Sequence, residues 1–247
     1  MAAGGQPPAE SRDHLFGGRL VCRQGRHGYR FSVDAVLLAH FSAPAAAARV
    51  LDMGAGCGIV SLLLAYRHPS VTITAVELQA DLARLIRVNA EENGFADRLR
   101  VVEGDLAAIG DRLAAESFDW AVANPPFYRD GSGRVNPGSE QALARHELPA
   151  TLPVFVGAMA HCLKNRGRGA LIYPAARLAT LITELKARRL EPKRLQLVHS
   201  RPGEKARLVL VEVLKNGGEG LEVLPPFFIY DGEGKGYSAA MAACYRG

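Results

Sequence analysis

From Arg49 to Tyr173 short β-rich runs alternate with helical stretches. This alternation constrains the fold more than any other feature, because strands separated by helices pair as a parallel sheet whose two faces the helices cover. The strands read as Val50 to Met53, Val71 to Val76, Leu99 to Val102, Phe118 to Ala123 and Gly169 to Tyr173. Apolar spacing predicts helices over Ile59 to Arg67, Ala80 to Glu92 and Leu152 to Leu163, with a weaker one over Leu106 to Ala115. Asn93-Gly94 is a helix stop. A helix is expected from Pro174 to about Arg189, then two long strands, Arg194 to Ser200 and Arg207 to Lys215. A Pro-Gly turn joins these two, so they are expected to run antiparallel.

Ahead of this region the pattern changes. Residues 1–13, rich in Ala, Gly and Pro, read as a tail, with order beginning near Leu15. Residues 14–48 read as a short lid: a hairpin of Arg19 to Cys22 with Tyr29 to Phe31, then a helix capped by Ser32 or Asp34. The main domain is expected over 49–247. With 48% hydrophobic and 22% charged residues in 247, a chain of this kind can build its core without disulfide or metal. Cys22, Cys57, Cys162 and Cys244 are far apart, so a reducing cytoplasm is the expected setting and no metal site is expected. Neither an export signal nor a membrane span is legible.

Charge is segregated along the chain. Residues 50–123 hold 6 basic and 11 acidic side chains, whereas residues 164–215 hold 13 basic and 4 acidic ones. The basic flank suits phosphate contacts.

The chemistry-bearing residues fall at strand ends. Asp52-Met-Gly54-Ala-Gly56-Cys-Gly58 follows an apolar strand and opens a helix, where helix-end N–H groups and bare backbone receive a nucleotide-like ligand. A dinucleotide fold wants its third glycine where Ile59 stands, which argues against NAD. Glu77 ends the next strand, with the spacing of a carboxylate that accepts hydrogen bonds from both hydroxyls of a ribose. Asp105, after the third strand, is a candidate acceptor for the exocyclic amine of a purine.

Asn124-Pro125-Pro126-Phe127 follows the fourth strand and belongs beside the glycine turn. An amide or aromatic amine is a poor nucleophile because its lone pair is delocalised, so a catalyst must hold it by acceptors that localise that pair. The Asn124 side-chain oxygen and the Pro125 carbonyl are two such acceptors, Pro126 stiffens the turn, and Phe127 offers a stacking face.

Taken together these residues resemble the amino-group methyltransferases that use S-adenosylmethionine. That resemblance implies a Rossmann-like, doubly wound α/β fold with a seven-stranded, mostly parallel sheet. It further implies that Asp52, the glycine turn, Glu77, Asp105 and Asn124 face the cofactor. Tyr29-Arg-Phe31-Ser32-Val-Asp34, His199-Ser-Arg201-Pro-Gly-Glu204-Lys205-Ala-Arg207 and Phe228-Ile-Tyr-Asp-Gly to Tyr237-Ser238 resemble the tRNA adenine-N6 methyltransferase family acting on valine tRNA, next to the anticodon. From this family Asp34 is carried over as a residue bordering the cofactor. Arg201, Lys205 and Arg207 are expected to contact RNA, with tRNA as partner and no obligate protein partner or membrane implied. The rivals within the fold are methylation of guanine N2 in ribosomal RNA or of a protein glutamine. Glutamine-modifying relatives usually carry Tyr at the Phe127 position and a helical domain ahead of the sheet, for which the roughly 45 residues present are too few. A rival of another class is a non-catalytic RNA-binding protein.

Overall fold

The computed structural model describes residues 10–25, 31–126, 151–232, 234 and 236–246. An N-terminal hairpin, β1 (Glu10–Leu15) and β2 (Leu20–Gly25), precedes helix α1 (Val33–Phe41). The sheet region runs β3 (Arg49–Met53), α2 (Ile59–Arg67), β4 (Thr72–Glu77), α3 (Ala80–Glu92), β5 (Leu99–Glu103), a 3-10 segment (Leu106–Asp111) and β6 (Phe118–Ala123). Then come α4 (Leu152–Cys162), β7 (Leu163–Pro174), α5 (Leu178–Ala187), β8 (Leu190–His199), β9 (Ala206–Lys215), β10 (Glu222–Val223), β11 (Phe227–Phe228) and α6 (Ala239–Cys244).

Seven strands of five or more residues lie in the order β8-β9-β7-β6-β3-β4-β5, and the two-residue β10 and β11 add to the outer edge of β8. All neighbours are parallel except β9, which is antiparallel to both β7 and β8. The chain travels outward from β3 through β4 to β5, then returns to β6 on the other side of β3. The order therefore reverses between β3 and β6, the place at the carboxyl ends where open α/β sheets take their ligands.

Sheet residues alternate between two apolar layers. Val50, Trp120, Val122, Ala170, Ile172, Leu208 and Leu210 pack with α1, α2, Ile86 and Ala90 of α3, and α6. Leu51, Ala121, Leu171, Tyr173, Val209 and Val211 pack with the 3-10 segment, α4 and α5. This period of two, buried on both sides, produces the near-continuous apolar strands expected of a covered parallel sheet.

The N-terminal region differs from its sequence expectation. The first strand begins at Glu10, ahead of the start expected near Leu15, and β2 pairs backward with β1, Leu15 opposite Leu20; Tyr29 and Arg30 of the expected partner strand lie outside the described residues. The turn is Phe16–Gly18, where Gly17 and Gly18 take φ of 65° and 88°, a left-handed path that reverses the chain at once. Ser32 is the helix cap, its hydroxyl accepting from Asp34 N–H. In α1, Ala35 to Ala39 and Phe41 are buried in the layer formed with α2. The helix expected over Leu106 to Ala115 shortens to the 3-10 segment, and β7 starts six residues before Gly169 because its early part pairs from Leu163 opposite Phe118. Among the described residues no helix is long and apolar enough to cross a membrane, and no group of three His, Cys, Asp or Glu is arranged to hold a metal.

Candidate active site

The sheet register brings the candidate residues to one edge. Met53 lies opposite Val76 on one side and Ala123 on the other, so Gly54 follows β3 directly between Glu77 of β4 and Asn124 after β6. Gly54 N–H and Ala55 N–H both donate to the Val76 carbonyl, at 2.9 and 3.0 Å, which folds the turn back over β4. Gly54 and Gly58 have φ of 65° and 86°. A Cβ at Gly54 would meet the Phe155 ring at 2.9 Å, and one at Gly58 would meet Ile86 at 3.0 Å. Both the backbone path and the close approach of α4 and α3 require glycine at these positions.

Glu77 is the hub of the turn. It is 6% exposed, one carboxylate oxygen accepts from Gly56 N–H at 2.8 Å, and the other accepts from Gln79 N–H at 3.0 Å. Burial raises its pKa, against the lowering effect of these backbone donors. Each oxygen keeps a further lone pair, so the carboxylate can brace the turn and still accept from ligand hydroxyls.

Asp52 behaves differently from its neighbours. At 2% exposure, it accepts the Ser61 hydroxyl hydrogen at 2.6 Å, tying the end of β3 to the first turn of α2 beneath the glycines. Burial pushes its pKa up to about 6, offset in part by Ser61, with the nearby Glu77 charge adding a smaller upward push. Asp105 is exposed after β5, where one oxygen accepts from Ala107 N–H at 2.8 Å and caps the 3-10 segment. Asp34 sits half-buried in the first turn of α1, its pKa raised by that burial.

Asn124 is half-buried and Pro125 buried, while Pro126 is exposed. Beside them on β7, Leu171 lies opposite Ala123, so Tyr173 and Pro174 run alongside the motif. Phe127 lies outside the described residues.

In the basic flank, four cations of the outer strands are ion-paired, whereas Arg166, Arg188 and Arg189, toward the same end of the sheet, are exposed. Lys164 pairs with Asp119 (2.6 Å), Lys215 with Glu116 (3.0 Å), and the buried Glu212 takes Arg168 and Arg194. At the carboxyl edge Lys205 and Arg207 are exposed, with no carboxylate in ion-pair range among the described residues. Arg201 is occupied: it donates to the Gly234 carbonyl at 3.1 Å, lies 3.8 Å from the Glu204 carboxylate, and covers the Tyr230 ring. Sequence reasoning missed Arg177, which is exposed just past β7 with its guanidinium 5.7 Å from the centre of the Tyr173 ring. Its single signal is being a cation three residues after a strand end.

The carboxyl edge at the strand-order reversal combines a glycine turn, a ribose-type carboxylate and an Asn-Pro-Pro turn. It sits in a sheet whose β9 runs antiparallel, unlike the all-parallel dinucleotide-binding order. This combination defines an S-adenosylmethionine-dependent methyltransferase of class I. The donor set fits that cofactor: the turn's bare backbone and Glu77 suit its ribose, and the carboxylates of Asp52, Glu77, Glu103 and Asp105 along the edge suit its positive sulfur.

Comparison with known proteins specifies the family. Residues 32–143 match the methyltransferase small domain family. The tRNA1(Val) (adenine(37)-N6)-methyltransferase of Porphyromonas gingivalis W83 is 31% identical over 189 residues, covering 74% of this chain and 73% of that protein. The protein of the same description from Shewanella sp. MR-4 is 34% identical over 155 residues, 62% of this chain and 64% of its own. The chain belongs to the tRNA1(Val) (adenine(37)-N6)-methyltransferase family. Among solved structures, Atu636 of Agrobacterium tumefaciens, described as a predicted O-methyltransferase, shares the fold with a TM-score of 0.71 at 23% identity, over 86% of this chain and 95% of its own.

Proposed function

We propose that this protein transfers a methyl group from S-adenosylmethionine to the N6 amine of an adenine in tRNA, with valine tRNA, next to the anticodon, as substrate. The observation that carries the reading is the adjacency of Asn124-Pro125-Pro126 to the glycine turn across the β3–β6 reversal, in a chain of this family. When bound, the cofactor supplies a methyl group on a positively charged sulfur, which leaves as a neutral thioether.

The chain's own task is then to hold an amine in line. The Asn124 side-chain oxygen and the Pro125 carbonyl accept hydrogen bonds from its two N–H groups, so its nitrogen lone pair is directed at the methyl carbon, and one of these protons passes to solvent once the N–C bond has formed. Phe127 stacks on the adenine once it is withdrawn from its neighbours. Glu77 accepts from the ribose hydroxyls, and Asp34, Asp52, Gly54, Gly56, Gly58 and Asp105 complete the cofactor's surroundings, Asp52 from beneath through Ser61. Arg177, Lys205 and Arg207 lie along the same carboxyl edge as Asn124, β9 being two strands from β6, or about 10 Å at ordinary strand spacing. Lys205 and Arg207 can hold phosphates flanking the adenine, with Arg177 beside them over the Tyr173 ring, whereas Arg201 shapes the turn that presents Lys205.

Incubation with total tRNA and labelled cofactor, followed by nucleoside analysis, should yield N6-methyladenosine. Methylated guanine, methylation of protein alone, or no incorporation rejects the assignment; the last outcome is the one a non-catalytic RNA-binding protein predicts.

A further inference from the structure

α3 holds the N-terminal hairpin with two asparagines one turn apart. Asn93 accepts from Val21 N–H at 2.8 Å and donates to the Val21 carbonyl at 2.7 Å. Asn89 does the same with Arg23, at 2.7 and 2.9 Å. Helix positions four apart are separated by about 6 Å and alternate strand positions by about 7 Å, so the pair stands in for a neighbouring strand along the outer edge of β2.

The two asparagines differ in where their second amide hydrogen goes. Asn93 returns it to the Asn89 carbonyl of its own helix at 2.7 Å. Asn89, 0% exposed, sends it to the Cys57 carbonyl at 2.9 Å, inside the glycine turn. The Cys57–Gly58 peptide is thereby held from both ends, since Gly58 N–H donates to the Ala55 carbonyl at 2.9 Å. The neighbouring Gly56 N–H is the one that Glu77 accepts. Cys22 of β2 also touches this point, its sulfur 3.8 Å from that of Cys57.

We propose that Asn89 is a positioning residue for the cofactor turn, and that through it the β1–β2 hairpin acts as a strut of the cofactor site. The inference rests on the reading that the glycine turn holds the cofactor. Asn89 fixes the plane of one peptide in a turn whose N–H directions constitute the binding surface. Losing it leaves the Cys57 carbonyl buried without its donor and lets that peptide rotate. Coupling is reciprocal: if the hairpin stabilises the turn, cofactor at the turn stabilises the hairpin.

The test compares Asn89→Asp with Asn93→Asp in the full chain. Each keeps an acceptor for β2 and loses a donor, but only the first touches the turn. Asn89→Asp should raise the S-adenosylmethionine dissociation constant and KM by about five- to a hundred-fold, with kcat at saturating cofactor near wild type. Asn93→Asp should leave cofactor affinity near the wild-type value despite a similar loss in thermal midpoint. Equal effects of the two, or none from Asn89→Asp, overturn the proposal. Should Asn89→Asp not fold, hydrogen exchange on the wild-type protein decides. The cofactor should slow exchange in residues 20–25 as well as 54–58, and protection of 54–58 alone overturns the strut. Absence of protection at 54–58, together with undiminished affinity in Glu77→Ala, rejects instead the assignment of the turn as the cofactor site.

Discussion

Asn124 and Asp52 are both polar residues at strand ends along one sheet edge, yet their surroundings give them different tests. Asn124 is half-buried, and its side-chain amide has no hydrogen-bond partner among the described residues. Its proposed interaction is with an amine whose charge changes only as the methyl group arrives. Asn124→Ala should therefore leave cofactor affinity almost intact while single-turnover transfer falls about 10²- to 10³-fold, the scale of losing one group that orients or stabilises a transition state. Transfer within a few-fold of wild type removes Asn124 from the role. Asp52, by contrast, is buried and bound to Ser61, with its pKa pushed up to about 6 from an ordinary 3.8. Between those values the folded state holds the proton and the unfolded state does not, so this group favours folding at the acid end and loses that contribution as pH rises through about 6. Asp52→Asn keeps an acceptor for Ser61 without the buried charge. Urea unfolding should show the variant gaining on wild type by up to about 3 kcal/mol between pH 4 and pH 7.5, the equivalent of two pKa units. A pH-independent difference between the two proteins contradicts this account.

At the scale of elements, the glycine turn is where α2, α3 and α4 converge on β3. Gly58 opens α2 with φ of 86°, and Ile86 of α3 leaves no room for a methyl group there. Gly58→Ala should destabilise the fold by about 1 to 3 kcal/mol through overpacking and a left-handed alanine, read as a lower urea midpoint with unchanged m-value. A neutral result means that α3 can move away from α2. The far end of the sheet is held by different means. Phe228 extends β11 beside His199, and Tyr237 stacks between Tyr230 and Tyr245, with Arg201 over Tyr230. These interactions clamp the C-terminal segment to the end of β8. Tyr230 and Tyr237 also face each other across an isolated antiparallel bridge.

Across the whole molecule, part of the basic flank is already neutralised. The net charge of residues 164–215 overstates what RNA can meet, since Lys164, Arg168, Arg194 and Lys215 are already paired with Asp119, Glu212 and Glu116. Reversing Lys205 and Arg207 together should weaken tRNA binding and reduce its salt slope by about 2, one for each phosphate no longer neutralised, while cofactor affinity stays unchanged. Reversal of Lys164 should cost stability instead, and an unchanged salt slope in the double variant moves the RNA off this edge. Distance along the chain separates what is legible in the sequence from what is not. The alternation after Arg49, the helix stop at Asn93-Gly94, the glycine turn, Glu77 and Asn124-Pro125-Pro126 are local patterns. A period of two or of 3.6 and a turn's backbone demands are written in consecutive residues, so these elements and their place at strand ends follow from the chain alone. Gly17-Gly18 is equally local and marks the β1–β2 turn. Strand order, the antiparallel insertion of β9, the pairing of cations and the bridge from Asn89 to Cys57 depend on pairs of residues tens of positions apart. Their interaction energies are too similar among alternatives for a pattern to choose between them. Packing both apolar faces of one sheet against helices made that choice.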